Sequence, residues 1–241
     1  MKKIALLTLA MMATPAVAMA QDSGNLLPGE FSGNVGILSD YVFRGISQTD
    51  EKAALQGGID WAHDSGFYAG VWGSNVDFNE TPPTDGASAE VDVYAGWGQS
   101  VGAFSYSIGG IYYAYPGADD GLNYDFFEGQ LTAGYELTEG LEVGALYAYS
   151  PEFFGDTGAA HYIQGSIGYS FDVGLPVSLG ATIGHQTIDQ GNDYTNWSTT
   201  ASVAFDNLEV GVSYTDTDLS KAQCGGDLCD ARGVAFVTYS F

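Results

Sequence analysis

From Phe31 to Phe241, apolar and polar positions alternate in short runs, broken at intervals by small and polar residues. In the first run Phe31, Gly33, Val35, Ile37, Tyr41 and Phe43 take the odd positions, with Ser32, Asn34, Gly36 and Asp40 between them. A period of two is that of a strand with one apolar and one polar face. The pattern returns with Val91, Val93, Ala95 and Trp97 against Glu90, Asp92, Tyr94 and Gly96, and with Ile163, Ile167, Tyr169 and Phe171 against Gln164, Ser166, Gly168 and Ser170. It predicts about twelve strands, near 31–43, 53–63, 66–78, 89–100, 103–115, 124–136, 141–151, 160–171, 177–188, 194–205, 208–217 and 231–241.

The connections sort by length. Tight turns fall at 63–66, 100–102, 138–140, 172–176 and 206–207, and between them lie the longer segments 44–52, 79–88, 116–123, 152–159, 189–193 and 218–230. Short turns at one end and long loops at the other are the build of an outer-membrane barrel, with the turns towards the periplasm. A soluble β-sandwich has no reason to sort its loops in this way. The expected fold is therefore all-β: an antiparallel up-and-down transmembrane β-barrel with both termini periplasmic, its apolar face turned out to lipid and its polar face turned in. Aromatics near strand ends, namely Tyr41, Phe43, Trp72, Tyr112, Tyr115, Phe126, Phe127, Tyr149, Phe171, Tyr194 and Phe241, read as girdles at the membrane–water boundary. Twelve strands about 4.8 Å apart and tilted about 40° give a backbone radius of roughly 12 Å. Inward side chains then leave a narrow water path or close it.

Composition agrees. Of 241 residues 34 are glycine and 14% aromatic, but only 15% are charged, against about 25% in an average soluble protein. Residues 1–20 have the parts of a secretory signal: Lys2 and Lys3, the apolar run Ile4 to Met12, and Ala18-Met19-Ala20 as the cleavage site. The expected domains are thus a signal peptide, 1–20, and a barrel, 21–241, delivered to the cell outer membrane. No later run is long enough for a helical span. The formal net charge of −24 repels phosphate backbones and argues against nucleic acid. It suits a surface that meets cations, including those that bridge lipopolysaccharide.

The stretch Ser39 to Asp50, SDYVFRGISQTD, resembles the opening motif of the proteobacterial outer-membrane proteins called TorF-family porins. That resemblance implies a porin, and it carries over no catalytic residue. The chain ends on Val237-Thr238-Tyr239-Ser240-Phe241, which is similar to the terminal signal read by the outer-membrane insertion machinery, although Phe236 stands where that signal usually has glycine.

Chemistry is sparse. Cys224 and Cys229, the two cysteines, lie in the last long loop; in an exported protein such a pair is most simply a disulfide. His63, His161 and His185 are scattered, and the Gly-x-Ser-x-Gly motif of a serine hydrolase is missing, so no catalytic residue, cofactor or metal site is expected. Loop acids such as Asp119, Asp120 and Asp189 lack EF-hand spacing. The informative acids are on the inward faces: Asp40, Glu90, Asp92, Glu128 and Glu142, with Glu209 nearer a turn. After the signal only Arg44, Lys52, Lys221 and Arg232 offset them. Asp40, Arg44, Glu90, Asp92, Glu128 and Glu142 are the candidate pore-lining residues. A crowded acidic lumen binds cations, pairs with Arg44 or takes up protons. Arg44 has two readings: a charged constriction folded into the lumen, or an anchor at the membrane interface. The chain as a whole also has two: passive diffusion of small cationic or neutral solutes, or a non-conducting barrel that acts through its acidic loops. Expected partners are outer-membrane lipids, lipopolysaccharide, the insertion machinery and small solutes.

Overall fold

Strand propensity closes this chain on itself. A computed structural model describes residues 28–78, 80 and 86–241. The expected signal segment 1–20, the cleavage at 20/21 and most of the connection 79–88 lie outside the described residues. A short hairpin, β2 Val42–Phe43 with β3 Ile46–Ser47, stands apart from the main sheet. The other twelve strands form a closed antiparallel barrel: β1 Glu30–Leu38, β4 Ala54–Ala62, β5 Phe67–Asn75, β6 Ala89–Val101, β7 Phe104–Ala114, β8 Phe126–Thr138, β9 Leu141–Ser150, β10 Ala160–Asp172, β11 Pro176–Ile188, β12 Tyr194–Phe205, β13 Leu208–Thr217 and β14 Arg232–Ser240. Each pairs with its neighbour in chain order, and β1 closes the ring on β14 through Asn34↔Ser240 to Leu38↔Phe236. Closure leaves no unpaired edge, which in hydrocarbon would strand backbone N–H and C=O groups at a cost on the order of several kcal/mol apiece.

Alternation sorts the two faces as the period predicts. Ile37, Ile59, Val93, Ile108, Leu131, Ile163, Ile183 and Val212 are exposed on the outside. Their chain neighbours Gly36, Asp60, Asp92, Ser107, Thr132, Gln164, Thr182 and Ser213 point inward and are buried or half-buried. The short connections gather at one end, here the turn end, and the long ones at the other, the loop end.

The first strand is shorter than its alternation suggested. It stops at Leu38, and the chain then enters the hairpin β2–β3. Asp40 causes the break: its carboxylate accepts from the Ser47 hydroxyl at 2.7 Å, the Thr49 hydroxyl at 2.9 Å and Arg232 Nη1 at 2.8 Å. These bonds turn the chain back across the barrel instead of along it. Arg44 and Gly45 form the tip with φ 47° and 86°, the pair of positive values that a type I′ hairpin turn requires. At 45 only glycine fits, because a Cβ there would collide with the Thr217 side chain. The segment 44–52, expected as an open loop, therefore contains a folded element.

The same inward turn corrects part of the aromatic girdle. Tyr41, Tyr115, Phe126 and Tyr194 are buried inside the barrel, and Phe43 and Trp72 pack against that core. Tyr112, Phe127, Tyr149 and Phe241 are exposed on the outside as expected. A ring near a strand end reads the same in sequence whichever face it occupies; at the loop end the inner face has a hairpin to pack against, and rings fill the gap.

Candidate functional site

The candidate site is the loop half of the lumen, where the hairpin meets the wall on every side. Tyr41 stacks edge-on against Trp72 of β5, with ring centroids 5.5 Å apart, and its hydroxyl donates to Glu90 of β6 at 2.9 Å. Phe43 meets Tyr113 of β7 at 6.0 Å. Gly45 lies against Asn196 of β12 and Thr217 of β13. The hairpin thus touches strands from both sides of the ring, so it crosses the lumen.

Arg44 is the centre of this plug. Its Nη1 and Nη2 donate to Glu128 Oε1 and Oε2 at 2.8 and 2.7 Å, a two-pronged pair, and Nη1 also donates to Gln186 Oε1 at 2.7 Å. Its Cζ sits 4.1 Å from the Tyr162 ring centroid. Burial works against the charged guanidinium, but the Glu128 carboxylate outweighs it, so the pKa of Arg44 rises and the charge is permanent. Gln186, itself fully buried, donates onward to the His161 and Thr187 carbonyls. The Tyr113 hydroxyl donates to Glu128 Oε2 at 3.3 Å. Of the two readings for Arg44, the lumenal placement is the one the structure adopts.

The other candidates fall at three levels. Asp40 lies just past β1 and, through Arg232, joins the hairpin to the last loop. Glu90 and Asp92 stand two residues apart on the inner face of β6, level with the hairpin; Tyr41 and Tyr115 both hydrogen-bond Glu90. Glu142 is remote from these, at the turn end, facing Glu136 across β8 and β9. Three buried side-chain atoms have no hydrogen-bond partner among the described residues: Arg44 Nε, Asp92 Oδ1 and Asn196 Nδ2. Sequence reasoning missed Gln186, Tyr113 and Tyr162. Their inward positions were readable from the alternation, but nothing local marked them as partners of Arg44.

All four lysines and arginines of the described residues are paired. Arg44 holds Glu128, Arg232 holds Asp40 and Glu51, Lys52 holds Asp50 and Asp77, and Lys221 holds Asp227 and Asp230. Hydrogen bonds that Lys221 donates to Asp227 and Asp230 keep its pKa above the ordinary value. These two acids lie within and beside the Cys224–Cys229 disulfide, which forms as expected for that pair. The loop it closes braces the hairpin: Ser47 N donates to Leu228 O at 2.8 Å and Arg232 Nη2 to Asp227 O at 2.6 Å.

Towards the turn end the lumen changes character. Inward hydroxyls meet across strands, Ser107 with Thr132 at 2.7 Å, Thr182 with Ser198 at 2.8 Å and Thr200 with Ser213 at 3.2 Å. Glycines occupy many of the remaining inward positions, Gly96, Gly109, Gly144 and Gly180 among them. Asp60 on β4 accepts from the hydroxyl of Tyr94, two strands away on β6, at 2.5 Å.

Known structures share this architecture. The KdgM porin superposes with a TM-score of 0.60 at 13% identity, covering 87% of this chain and 99% of its own. The KdgM porin in complex with disordered oligogalacturonate gives 0.58 at 12%, covering 88% and 98%. The NanC porin gives 0.54 at 11%, covering 88% and 99%. At these identities the likeness is one of fold: a twelve-stranded barrel similar to outer-membrane porins. No curated protein matches the sequence. A family model matches residues 22–241, and the chain belongs to that family, Gcw_chp, described as bacterial protein of unknown function.

Proposed function

We propose that the protein is an outer-membrane channel for passive diffusion of small cationic or neutral solutes, narrowed at the hairpin β2–β3. The observation that carries this is the balance of charge inside the barrel. Every Lys and Arg of the described residues is committed to a carboxylate, whereas Asp60, Glu90 and Asp92 face inward with no cation paired to them. Two unit charges about 6 Å apart at an effective dielectric of 20 interact by about 3 kcal/mol. Such a wall attracts a cation, admits a neutral solute and repels an anion. A polyanion such as the oligogalacturonate in complex with one KdgM porin is a poor fit to this lumen. Fold likeness to porins and the resemblance of Ser39 to Asp50 to TorF-family porins support the channel. The exposed apolar outer wall suits outer-membrane lipids and lipopolysaccharide, and the terminal Phe241 suits insertion by the outer-membrane machinery.

The packing of the loop half favours a second reading, a non-conducting barrel that works through its loops. Glu90, Tyr113, Glu128, Tyr162 and Gln186 are all fully buried at the level of the hairpin. Planar-bilayer recordings under a KCl gradient separate the two. Stable current steps with a cation-selective reversal potential are expected. Silence from a barrel whose heat-shifted gel mobility shows it folded would establish the second reading, and an anion-selective potential would overturn the charge argument.

A further inference from the structure

We propose that Asp92, with Glu90 beside it, holds one monovalent cation in the loop half of the lumen. This deepens the channel reading by naming where the cation rests, and it rests on that reading for the path but not for the binding.

Acids and cations do not balance at this level of the barrel. Glu90, Asp92 and Glu128 are inward acids on β6 and β8, and the one cation at their level among the described residues is Arg44. Both terminal nitrogens of Arg44 are directed to Glu128 and Gln186. Glu90 is satisfied by the hydroxyls of Tyr41 and Tyr115, which are neutral donors and leave its charge uncancelled. Asp92 is in a different state. It is 8% exposed, and its Oδ1 is sealed from solvent without a hydrogen-bond partner among the described residues. Its lateral neighbours in register are Trp72 on β5 and Tyr113 on β7. Of the inward acids at its level, Glu90 has no cation paired to it among the described residues, whereas Glu128 is paired with Arg44. A sealed acceptor beside an unpaired acid is a place for a positive ligand, since buried carboxylates persist only when paired, hydrogen-bonded or coordinated.

The donor set selects the class of ion. Among the described residues no three His, Cys, Asp or Glu side chains are placed to hold a metal ion together. Calcium asks for roughly six to eight oxygens, and magnesium for near-octahedral geometry. Here Glu128 is taken by Arg44, which leaves two carboxylates on one strand. Two carboxylates fall short of a divalent ion's shell and suit a single positive charge.

The test reads binding without conduction. Folded barrel in detergent is heated at fixed ionic strength in KCl or in N-methylglucamine chloride, and the unfolding midpoint is read from gel mobility. At ten times the dissociation constant, K⁺ is expected to raise the folded-to-unfolded ratio about tenfold and the midpoint with it. Asp92→Asn is expected to abolish the difference between the two salts. If that variant does not fold, Glu90→Gln serves, with a weakened response expected and an unchanged one overturning the site. Equal midpoints in both salts for the wild type, or a K⁺ response that survives Asp92→Asn, would also overturn it. Equal midpoints combined with an Asp92→Asn barrel more stable than wild type at neutral pH would mean that Asp92 carries a proton instead. A K⁺ response in a barrel silent in bilayers leaves the site standing and ends the channel reading; conduction without the response does the reverse.

Discussion

The two halves of the lumen are built by the same twelve strands and solve the problem of an enclosed polar space in opposite ways. In the loop half, large side chains and an inserted hairpin fill the bore, and most buried polar groups find a partner: Arg44 with Glu128 and Gln186, Asp40 with Arg232, Glu90 with Tyr41. In the turn half serine, threonine and glycine line much of the wall, with the Tyr68 and Tyr94 side chains laid over Gly96, Gly109 and Gly70, and hydroxyls pair between neighbouring strands. A twelve-stranded barrel is of a width at which side-chain size alone decides between plug and passage. In the channel reading, passage is controlled by one element, β2–β3, held by a few charged contacts.

The strongest way to break the contrast is to remove the plug's anchor. Arg44→Ala leaves Glu128 buried without its cation, a loss of about 3–5 kcal/mol for a buried pair. The hairpin is expected to come free and single-channel conductance to rise several-fold. Unchanged conductance and selectivity would show that the hairpin is not the constriction. Glu128→Gln should act in the same direction, because the two-pronged pairing is lost from the other side.

A second test uses adjacent residues on opposite faces. Leu131, half exposed on the outer wall, and Thr132, in the inner hydroxyl row, sit near the middle of β8. Arginine at 131 would face hydrocarbon at a cost of about 2–4 kcal/mol, and insertion yield and heat stability should fall. Thr132→Arg should fold normally and shift the reversal potential towards anions. Equal damage from both would mean that the turn half is as tightly packed as the loop half.

The smallest effect is expected from the brace. Cys224→Ser opens a short loop, worth about 2 kcal/mol in the chain-entropy account, and loosens the Leu228–Ser47 and Asp227–Arg232 contacts that steady the hairpin. The unfolding midpoint should drop modestly and current noise should increase. Noise identical to wild type would separate the disulfide from the plug.

Much of the architecture was readable in the chain. Strand positions, sorted connections and outward-facing Ile163, Ile183 and Val93 follow from a period of two, which is a property of consecutive residues. The disulfide was legible for a similar reason: two cysteines five residues apart have no other partner. The end of β1 was not, because apolar Tyr41 and Phe43 continue the alternation after the backbone has turned away. What turns it is Asp40 reaching Arg232, 192 positions along the chain.

The sequence by itself therefore determined the barrel, its inner and outer faces and its acidic lumen, since each depends on local spacing or on composition. Only the tertiary structure decided that Arg44 fills the bore, that Glu128 and Gln186, 84 and 142 positions away, receive it, and that Asp92 is left with a sealed oxygen. Those outcomes depend on which strands closure brings face to face across the lumen, and no spacing along one strand encodes a distance across a ring.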